Sequence, residues 1–426
     1  MRINRLQLGN FRNFTDNNFS FPTLFTVVIG ENGKGKSSIL EGVRVAAATF
    51  LLGIDEAERF HIQKEDVRRV DVGNRFATQK NCFFEAEGLV SGYPLVWKRT
   101  LPRLGGRTDT KDARNIIELV QELNDRVNIQ LEAAVSMPVI CFFSTARLWA
   151  ESKQTVNLKK KGSKIKDGYA RCVDERSDKL SPMAWLKAAY WKKLKNKPES
   201  VLLEAVLEAI DICIPNWTPT DWDEDTDDLA GLHINEDKTE SYIPLYYLSD
   251  GLRTMAAMVA EIAYRCVTLN EHLGRNAVKE STGIVMIDEL DMHLHPSWQR
   301  NVVADLKKAF PKIQFIATTH SPFIVQSLQS EELINLDAVV ESNPSDLGIE
   351  DVSTLIMKVS PKSSIYEELF EVANKYFEVL DKAEKAPIAE KELLKKQLDS
   401  LLAEHQDDPA FAAFLKMNRL AQLGKE

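Results

Sequence analysis

The sequence is poor in cysteine, carries no excess of positive charge and has no long apolar run. Its five cysteines are scattered and never spaced as Cys-x-x-Cys, a pattern that suits a reducing cytosol and provides no cysteine-based metal site. The net charge of -9 excludes a surface that is basic throughout, although a local basic groove is compatible with it. The longest apolar run, residues 43–54, is interrupted by Arg44 and is too short to span a membrane. Because the N-terminus also lacks a signal-peptide pattern, these absences predict a cytoplasmic protein without a membrane segment.

Short apolar runs are frequent, and they alternate with helical patterns. Alternating apolar and polar residues predict strands over residues 76–101, and continuous apolar runs predict buried strands at residues 24–30, 138–143, 283–289 and 313–320. Helices are predicted after residue 36 and within 298–310. This strand–helix–strand order indicates the α/β fold class, with a parallel sheet and right-handed crossovers.

A phosphate-binding loop is predicted between the strand at 24–30 and the helix that follows it. The residues from Gly30 to Ser37 read GENGKGKS and fit the pattern GxxxxGK[ST]. Glycines allow a tight loop whose N–H groups turn inward, and the helix N-terminus adds partial positive charge. Lys36 is expected to reach the β- and γ-phosphates of ATP, and the Ser37 hydroxyl to ligate Mg²⁺. The predicted nucleotide-binding residues here are Asn32, Gly33, Lys34, Gly35, Lys36, Ser37 and Ser38.

Two carboxylates end the apolar run of residues 284–287. A carboxylate at the end of a buried strand is costly unless it serves a cation, so Asp288 is predicted to hold Mg²⁺ together with Ser37. Glu289 is predicted to act as the general base that polarises the attacking water.

Histidines occur shortly after Glu289 and again at the end of the next predicted strand. His320 comes after the last predicted strand of the sheet, where ligands bind in open α/β sheets, and is expected to contact the γ-phosphate; a loop histidine with no role is the alternative. His293 and His295 lie two residues apart, but no third Cys or His is near them in sequence, which disfavours a zinc site.

The segment Leu248-Ser249-Asp250-Gly251 precedes a helix-forming stretch. It is interpreted in two ways: as a simple helix cap, or as half of a phosphate site whose other half lies on a second molecule.

Taken in this order, the motifs resemble the ATP-binding-cassette superfamily, in its branch of RecF-, Rad50- and SMC-type ATPases. The resemblance implies an ABC-ATPase head with flanking helices, an inserted helical lobe and a helical C-terminal region. It also implies roles for single residues: Arg12 in the Asn-Phe-Arg-Asn-Phe segment contacts the nucleotide, Ser249, Asp250 and Gly251 form the signature motif that binds the ATP of a partner subunit, Asp291 lies in the loop along the dimer seam, and His320 is the switch histidine.

The sequence departs from this family in two places. Asp250 replaces a glycine of the usual signature, which places an acid near the phosphate. The usual glutamine after the strand at 138–143 is missing, which leaves Ser144 or Arg147 in its place. Both departures favour ATP as a conformational clamp over ATP as a rapidly consumed fuel.

Within the superfamily, length and composition favour one branch. About 210 residues without sustained heptads separate the phosphate loop from the signature, which excludes a long coiled coil. The residues after His320 contain no acidic cluster of the Toprim nuclease type. The remaining resemblance is to the ATPase subunits of bacterial Septu anti-phage systems. It implies a partner, a PtuB-like HNH nuclease, because this sequence contains no HNH constellation.

Four regions are expected. Residues 1–150 form the first part of the ATPase lobe, residues 151–247 the inserted helical lobe, and residues 248–345 the second part of the ATPase lobe. Residues 346–426 form a helical region for contact with a partner or with further copies in a homodimer or larger homo-oligomer. The Lys-rich segment 153–197 contains interleaved aromatic residues that fit a nucleic-acid backbone, or else it forms a solvated face. The acidic residues 221–228 are predicted to form a solvated loop. Two further functions stay open: a non-catalytic ATP-bound scaffold, and a stand-alone DNA-repair ATPase.

Overall fold

A computed structural model describes residues 1–55, 57–73, 75–128, 135–148, 164–175, 180–195, 200–214, 216–234, 239–340, 342–359, 373–382, 393, 396–400, 415 and 417. The chain divides into two units, residues 1–357 and 358–426. The strands of the first unit are β1 (Arg2–Phe11), β2 (Phe14–Ser20), β3 (Phe25–Ile29), β4 (Arg69–Asp71), β5 (Phe76–Thr78), β6 (Cys82–Val90), β7 (Tyr93–Leu101), β8 (Val139–Phe143), β9 (Trp217–Asp223), β10 (Asp228–Ile234), β11 (Glu240–Pro244), β12 (Gly283–Ile287), β13 (Ile313–Thr318) and β14 (Leu333–Asn335). Its helices are α1 (Lys36–Ala47), α2 (Arg114–Asn128), α3 (Lys164–Tyr169), α4 (Leu180–Leu194), α5 (Ser200–Cys213), α6 (Asp250–Leu269), α7 (Ala277–Glu280), α8 (Pro296–Gln299), α9 (Val302–Ala309), α10 (Pro322–Gln326) and α11 (Ile349–Asp351).

A five-stranded parallel sheet, in the order β14-β3-β13-β12-β8, forms the centre of the first unit. Every residue of β3, β8, β12 and β13 is buried, as expected for strands covered on both faces. The four predicted buried strands are therefore confirmed. Because all strands run the same way, the segments that follow β3, β12 and β13 meet at one edge of this sheet, and these segments carry the predicted site residues.

A second, antiparallel sheet in the order β2-β1-β6-β7 covers helix α1. The side chains of Leu6 and Leu8 on β1 pack so closely on Gly42 of α1 that a β-carbon there would lie 2.7 Å from Leu8. Gln314 of β13 ties the two sheets together, since its side chain exchanges two 2.8 Å hydrogen bonds with the backbone of Ile3. The ABC-ATPase head expected from the sequence is present: α1 lies between a parallel sheet and an antiparallel sheet.

The inserted region contains the predicted helices, here α4 and α5, and also a three-stranded antiparallel sheet in the order β11-β10-β9. The prediction of an acidic loop over 221–228 is wrong for half of its length: residues 224–227 form the turn between β9 and β10, whereas residues 221–223 and 228 lie in those strands. Trp217 and Trp222 of β9 are buried, so their burial, rather than the charge of their neighbours, decides the local structure.

Helix α6 spans twenty residues and is buried along most of its length. Arg265 near its end is fully buried and pairs with Glu261 at 2.7 Å, while its guanidinium also donates to the carbonyl of Gly168 on α3 at 2.7 Å. A buried guanidinium is costly unless it is paired, and these partners fix the carboxyl end of α6. The amino end of α6 carries the predicted signature motif.

The second unit is helical where the structure describes it, at residues 373–382 and 396–400. Ala373, Tyr376, Leu380, Leu398 and Leu415 are buried together in its core. The helix predicted over this part of the tail is confirmed, and the predicted apolar residues 366–370 lie outside the described residues. None of the helices in the described part of the chain combines the length and apolar character that a bilayer crossing requires.

Candidate active site

The loop from Gly30 to Gly35 connects β3 to α1 and carries three residues with positive φ, at Gly30, Gly33 and Gly35. A side chain at Gly35 would also be obstructed, because a β-carbon there would lie 2.7 Å from the ring of Phe14. The amide of Asn13 donates a 2.6 Å hydrogen bond to the carbonyl of Gly33 and supports the loop from the β1–β2 turn. The loop therefore has the tight, N–H-lined form that a phosphate requires.

The ammonium of Lys36 lies inside this loop. It donates to the carbonyl of Gly30 at 2.6 Å and to that of Glu31 at 3.2 Å. Burial lowers the pKa of Lys36, and the nearby carboxylates of Asp337, Asp288 and Glu289 oppose this shift. The ammonium is thus held close to the two carboxylates predicted to act on ATP.

Asp288 and Glu289 follow β12 directly and are fixed by Thr318 at the end of β13. The Thr318 hydroxyl donates to Asp288 Oδ1 at 2.6 Å and accepts from the Glu289 N–H at 2.8 Å. Glu289 has a φ of 51°, an unusual value for a non-glycine residue that often marks a functional site. The Ser37 hydroxyl lies 3.3 Å from Asp288 Oδ2. A hydroxyl and a carboxylate this close provide the hard oxygen donors that Mg²⁺ prefers.

These groups surround one cavity of about 210 Å³ at the carboxyl edge of the parallel sheet. Its lining consists of Asn13, Asn32, Gly33, Gly35, Lys36, Ser37, Ser38, Asp288, Glu289, Thr318 and His320. The structure thus brings together most of the predicted nucleotide-binding residues, both carboxylates and the switch histidine. It adds Asn13 and Thr318, which the sequence analysis did not select.

Two predicted nucleotide-binding residues lie outside the cavity lining. Arg12 pairs with Asp66 at 2.9 Å and lies 3.9 Å from Glu41. In the turn after β1 it is the next residue, Asn13, that faces the loop. Lys34 is half-exposed, with its ammonium 3.4 Å from Asp337 Oδ1. Asn13 could have been selected from the sequence, since it belongs to the same Asn-Phe-Arg-Asn-Phe segment that suggested Arg12.

The predicted signature residues Ser249, Asp250 and Gly251 also lie away from this cavity, at the amino end of α6. Ser249 and Asp250 are exposed, and the Ser249 side chain makes no capping hydrogen bond. Asp250 forms an ion pair with Arg253 one turn along the helix. Gly251 packs on the loop after β12, since a β-carbon there would lie 2.1 Å from the carbonyl oxygen of His293. The Ser249 side chain therefore does not cap α6.

The loop with Asp291 is bound to the residues that follow β13. One carboxylate oxygen of Asp291 accepts from the Thr319 hydroxyl at 2.5 Å and from the His320 N–H at 3.2 Å. Gln299 continues the network, because it donates to the carbonyl of Leu294 at 2.8 Å and accepts from the Ser321 hydroxyl at 2.6 Å. The backbone of the switch histidine is therefore fixed by the predicted dimer loop.

The remaining candidates have local roles. The Ser144 hydroxyl donates to the carbonyl of Glu175 at 2.6 Å and does not line the cavity, while the Arg147 side chain lies outside the described residues. His295 accepts from the Ser297 N–H at the start of α8. Within the described ranges, no three His, Cys, Asp or Glu side chains are grouped closely enough to hold a metal ion.

Comparison with known proteins gives two overlapping family matches. The model of the family described as "AAA domain" matches residues 5–216, and the model described as "AAA domain, putative AbiEii toxin, Type IV TA system" matches residues 150–326.

Single relatives match parts of the chain or most of it. The Septu protein PtuA of Bacillus mycoides is 25% identical over 394 residues, which are 89% of this chain and 47% of the relative. The Retron Vc95 probable ATPase of Vibrio cholerae is 37% identical over 33% of this chain and 28% of its own length. The Retron Ec83 probable ATPase of Escherichia coli is 43% identical over 24% of this chain and 19% of its own length.

The matched segments span less than half the length of these curated relatives. The two family matches nevertheless contain the phosphate loop, the predicted signature residues, both carboxylates and His320. The chain therefore resembles AAA-domain ATPases and, over most of its length, the Septu protein PtuA.

Proposed function

We propose that this chain binds and hydrolyses ATP, dimerises around it, and regulates an associated HNH nuclease in bacterial anti-phage defence. The observation that carries the proposal is the cavity in which Lys36, Ser37, Asp288, Glu289 and His320 meet. Its lining provides a cation for the phosphates, donors for Mg²⁺, a carboxylate for the attacking water and an imidazole, which together are the parts of a phosphoryl-transfer site.

In the proposed mechanism, the N–H groups of the phosphate loop and the Lys36 ammonium bind the β- and γ-phosphates of ATP. On ATP binding, the ammonium loses its hydrogen bonds to the loop carbonyls and forms stronger ones to the charged phosphate oxygens. Ser37 and Asp288 would hold Mg²⁺, which would neutralise charge that develops on the phosphates.

Glu289 then accepts a proton from the attacking water. Its backbone is fixed by the hydrogen bond from its N–H to Thr318, so its carboxylate is oriented before ATP binds. His320 contacts the γ-phosphate and is sensitive to its loss. Because the His320 N–H is bound to Asp291, a change at the phosphate reaches the loop that we place along the dimer seam.

A second copy completes the site in this proposal. Ser249, directly before α6, is exposed and lies outside the cavity of its own chain. Its position at the amino end of a twenty-residue helix suits a phosphate held by another subunit. The ion pair between Asp250 and Arg253 reduces the repulsion that an unpaired acid would exert on that phosphate.

The nuclease partner and the defence role rest on the similarity to the Septu protein PtuA and the retron ATPases. We propose a cytoplasmic complex in which closure and opening of the ATPase dimer control a separate HNH subunit.

A steady-state phosphate-release assay tests the catalytic part. Lys36→Ala should abolish ATP binding, whereas Glu289→Gln should preserve binding and slow hydrolysis by about 10²–10⁴-fold, the usual contribution of a general base. Unchanged hydrolysis in Glu289→Gln would refute the assignment of Glu289 as the general base. A wild-type chain that binds ATP but releases no phosphate would instead leave ATP as the ligand of a non-catalytic scaffold.

Nucleic-acid contact through residues 153–197 is a second candidate function. A stand-alone DNA-repair ATPase, the other function left open by the sequence, would require this contact. Tyr190 and Trp191 of α4 lie among lysines, and Trp191 is 44% exposed. Such a mixture suits a single strand, because aromatic rings stack on bases and lysines bind phosphates. Residues 153–161 of this segment lie outside the described part of the chain.

A further inference from the structure

The segment that follows β14 contacts the phosphate loop through one carboxylate. Asp337 Oδ2 accepts a 2.6 Å hydrogen bond from the N–H of Glu31, the second residue of the loop. Its other oxygen, Oδ1, lies 3.4 Å from the ammonium of Lys34. The Asp337 side chain is only 9% exposed, although Glu31 and Lys34 are exposed, and a carboxylate that accepts from a backbone N–H forms a charge-assisted hydrogen bond.

The peptide that Asp337 binds is one of the two that hold Lys36. The Gly30 carbonyl, which belongs to the same peptide unit as the Glu31 N–H, accepts from the Lys36 ammonium at 2.6 Å, and that N–H donates to Asp337. The segment around Asp337 is itself fixed, because Leu336 N–H donates to the carbonyl of Ile29 at 3.0 Å and Asp337 N–H donates to Asn335 Oδ1 at 2.9 Å. A carboxylate on a fixed segment thus controls the position of the residue that begins the loop.

The packing at the start of the loop agrees with this role. Gly30 has a φ of 157°, and a β-carbon there would lie 3.0 Å from the Leu336 side chain and 3.4 Å from Asp337 Oδ2. The loop therefore lies directly against residues 336 and 337. Burial lowers the pKa of Lys36, and among the nearby carboxylates Asp337 has the largest opposing effect on that pKa.

We propose that Asp337 is a positioning residue for ATP binding: it fixes the Glu31 peptide, and through it the Lys36 ammonium, in the geometry that receives the phosphates. This inference rests on the proposed function, because it concerns the same ATP site. It adds a residue that no motif of the loop contains and that is separated from Glu31 by 306 positions in sequence.

The test compares two neutral variants, so that the loss of the negative charge near the phosphates is the same in both. Asp337→Asn keeps an oxygen that accepts from the Glu31 N–H, and Asp337→Ala removes it. Losing one such hydrogen bond corresponds to up to roughly tenfold in an equilibrium constant. We therefore expect Asp337→Ala to bind a fluorescent ATP analogue with Mg²⁺ about tenfold more weakly than Asp337→Asn.

Steady-state kinetics separate positioning from a general loss of structure. Because Asp337 acts on the loop and not on Glu289, Asp337→Ala should raise KM for ATP relative to Asp337→Asn and change kcat by less than about twofold. Asp346→Ala is the matched control, since Asp346 is exposed and its carboxylate contacts Asn343 and Ser345 rather than the loop. If Asp337→Ala does not fold, Asp337→Leu, close to asparagine in size but without an acceptor, takes its place.

Equal ATP affinity of the acceptor and non-acceptor variants would overturn the inference. Failure of the proposed function looks different, because in that case the wild-type chain would not bind the ATP analogue, or Lys36→Ala would bind it as well as wild type does. Weaker binding in Asp337→Ala, with recovery in Asp337→Asn, supports both.

Discussion

The hydroxyl of Thr318 and the carboxylate of Asp288 lie 2.6 Å apart, and this contact joins the ends of the two central strands β13 and β12. The same hydroxyl accepts from the N–H of Glu289. Thr318→Val should therefore lower kcat by about tenfold or more, because a carboxylate and an N–H that the site needs in fixed positions lose their common partner. Hydrolysis assays at saturating ATP and Mg²⁺ measure this effect.

Thr318→Ser is the matched control for that variant. It retains the hydroxyl and loses only a methyl group, so it should keep kcat within a few-fold of wild type. If the valine and serine variants hydrolyse ATP equally fast, the hydroxyl does not orient the carboxylates.

Ser249→Arg should leave ATP binding by a single subunit unchanged and block ATP-dependent dimer formation. Ser249 is exposed and lies outside the cavity of its own chain, whereas an arginine would obstruct the approach of a neighbouring subunit. Sedimentation of the Glu289→Gln variant with ATP, with and without Ser249→Arg, measures the dimer. Ser297→Arg, at another exposed position in the described chain, is the control. Persistence of the ATP-dependent dimer in Ser249→Arg would contradict the role of the signature motif.

The stability of the folded chain should fall at acidic pH in part because of His61. Burial lowers the pKa of His61 below its usual 6.5, with further contributions from Arg99 and Arg59. The Arg99 guanidinium also lies 2.7 Å from His61 Nδ1, so the folded state needs a neutral imidazole that accepts this hydrogen bond. As pH falls below about 6.5, the unfolded chain binds a proton that the folded chain binds only at lower pH, and unfolding becomes more favourable.

This contribution is fully present above the unfolded pKa and is lost as pH falls through the folded pKa. Denaturant unfolding at pH 5, 6 and 7 should therefore show a steeper decrease of the unfolding free energy toward pH 5 for wild type than for His61→Gln. Identical pH profiles in the two proteins would show that His61 does not titrate differently on folding.

The acidic β9–β10 turn should weaken any nucleic-acid binding by α4. Lys187 pairs with Asp227 at 2.5 Å, and Lys193 pairs with Asp221 at 3.2 Å. The Tyr190 hydroxyl also donates to Glu224 at 3.1 Å. The triple variant Asp221→Asn, Glu224→Gln, Asp227→Asn should bind single-stranded DNA or RNA more tightly than wild type, with a steeper dependence on salt, because freed lysines displace counterions from phosphates.

A triple variant on and directly before α2 with the same change of charge, Asp112→Asn, Glu118→Gln, Glu122→Gln, separates local from overall electrostatics. If it raises the affinity equally, α4 is not the binding surface. Fluorescence anisotropy with labelled single strands at several salt concentrations measures both variants.

Much of the fold was predictable because continuous apolar runs end in polar motifs. The runs at β3, β8, β12 and β13 are each five or six residues long and fully buried, so burial on both faces leaves a plain signal in the sequence. The motif after β3, β12 or β13 must then lie at one sheet edge, which is why the cavity contains residues as distant as Lys36 and His320.

Contacts that depend on tertiary structure were not predictable in this way. Asn13 reaches Gly33 and Asp337 reaches Glu31 only because separate segments are brought together in space. Arg12 does not line the cavity, because the turn after β1 directs its side chain to Asp66, and its contact with nucleotide stays a prediction. The sheet β9–β11 was missed since the acidic residues Asp221 and Asp223 hide the alternation of buried Thr220 and Trp222.

The close contact of Gly251 with the backbone of His293 changes how mutations of the signature motif are to be interpreted. Any side chain at position 251 would force the start of α6 away from the loop that carries Asp291, even in a solitary subunit without nucleotide. A Gly251 variant would thus separate the two segments that we propose to face a neighbouring copy, before any copy binds. Loss of function at Gly251 therefore reports on the internal structure of one subunit, whereas loss of function at Ser249 would report on the proposed dimer contact.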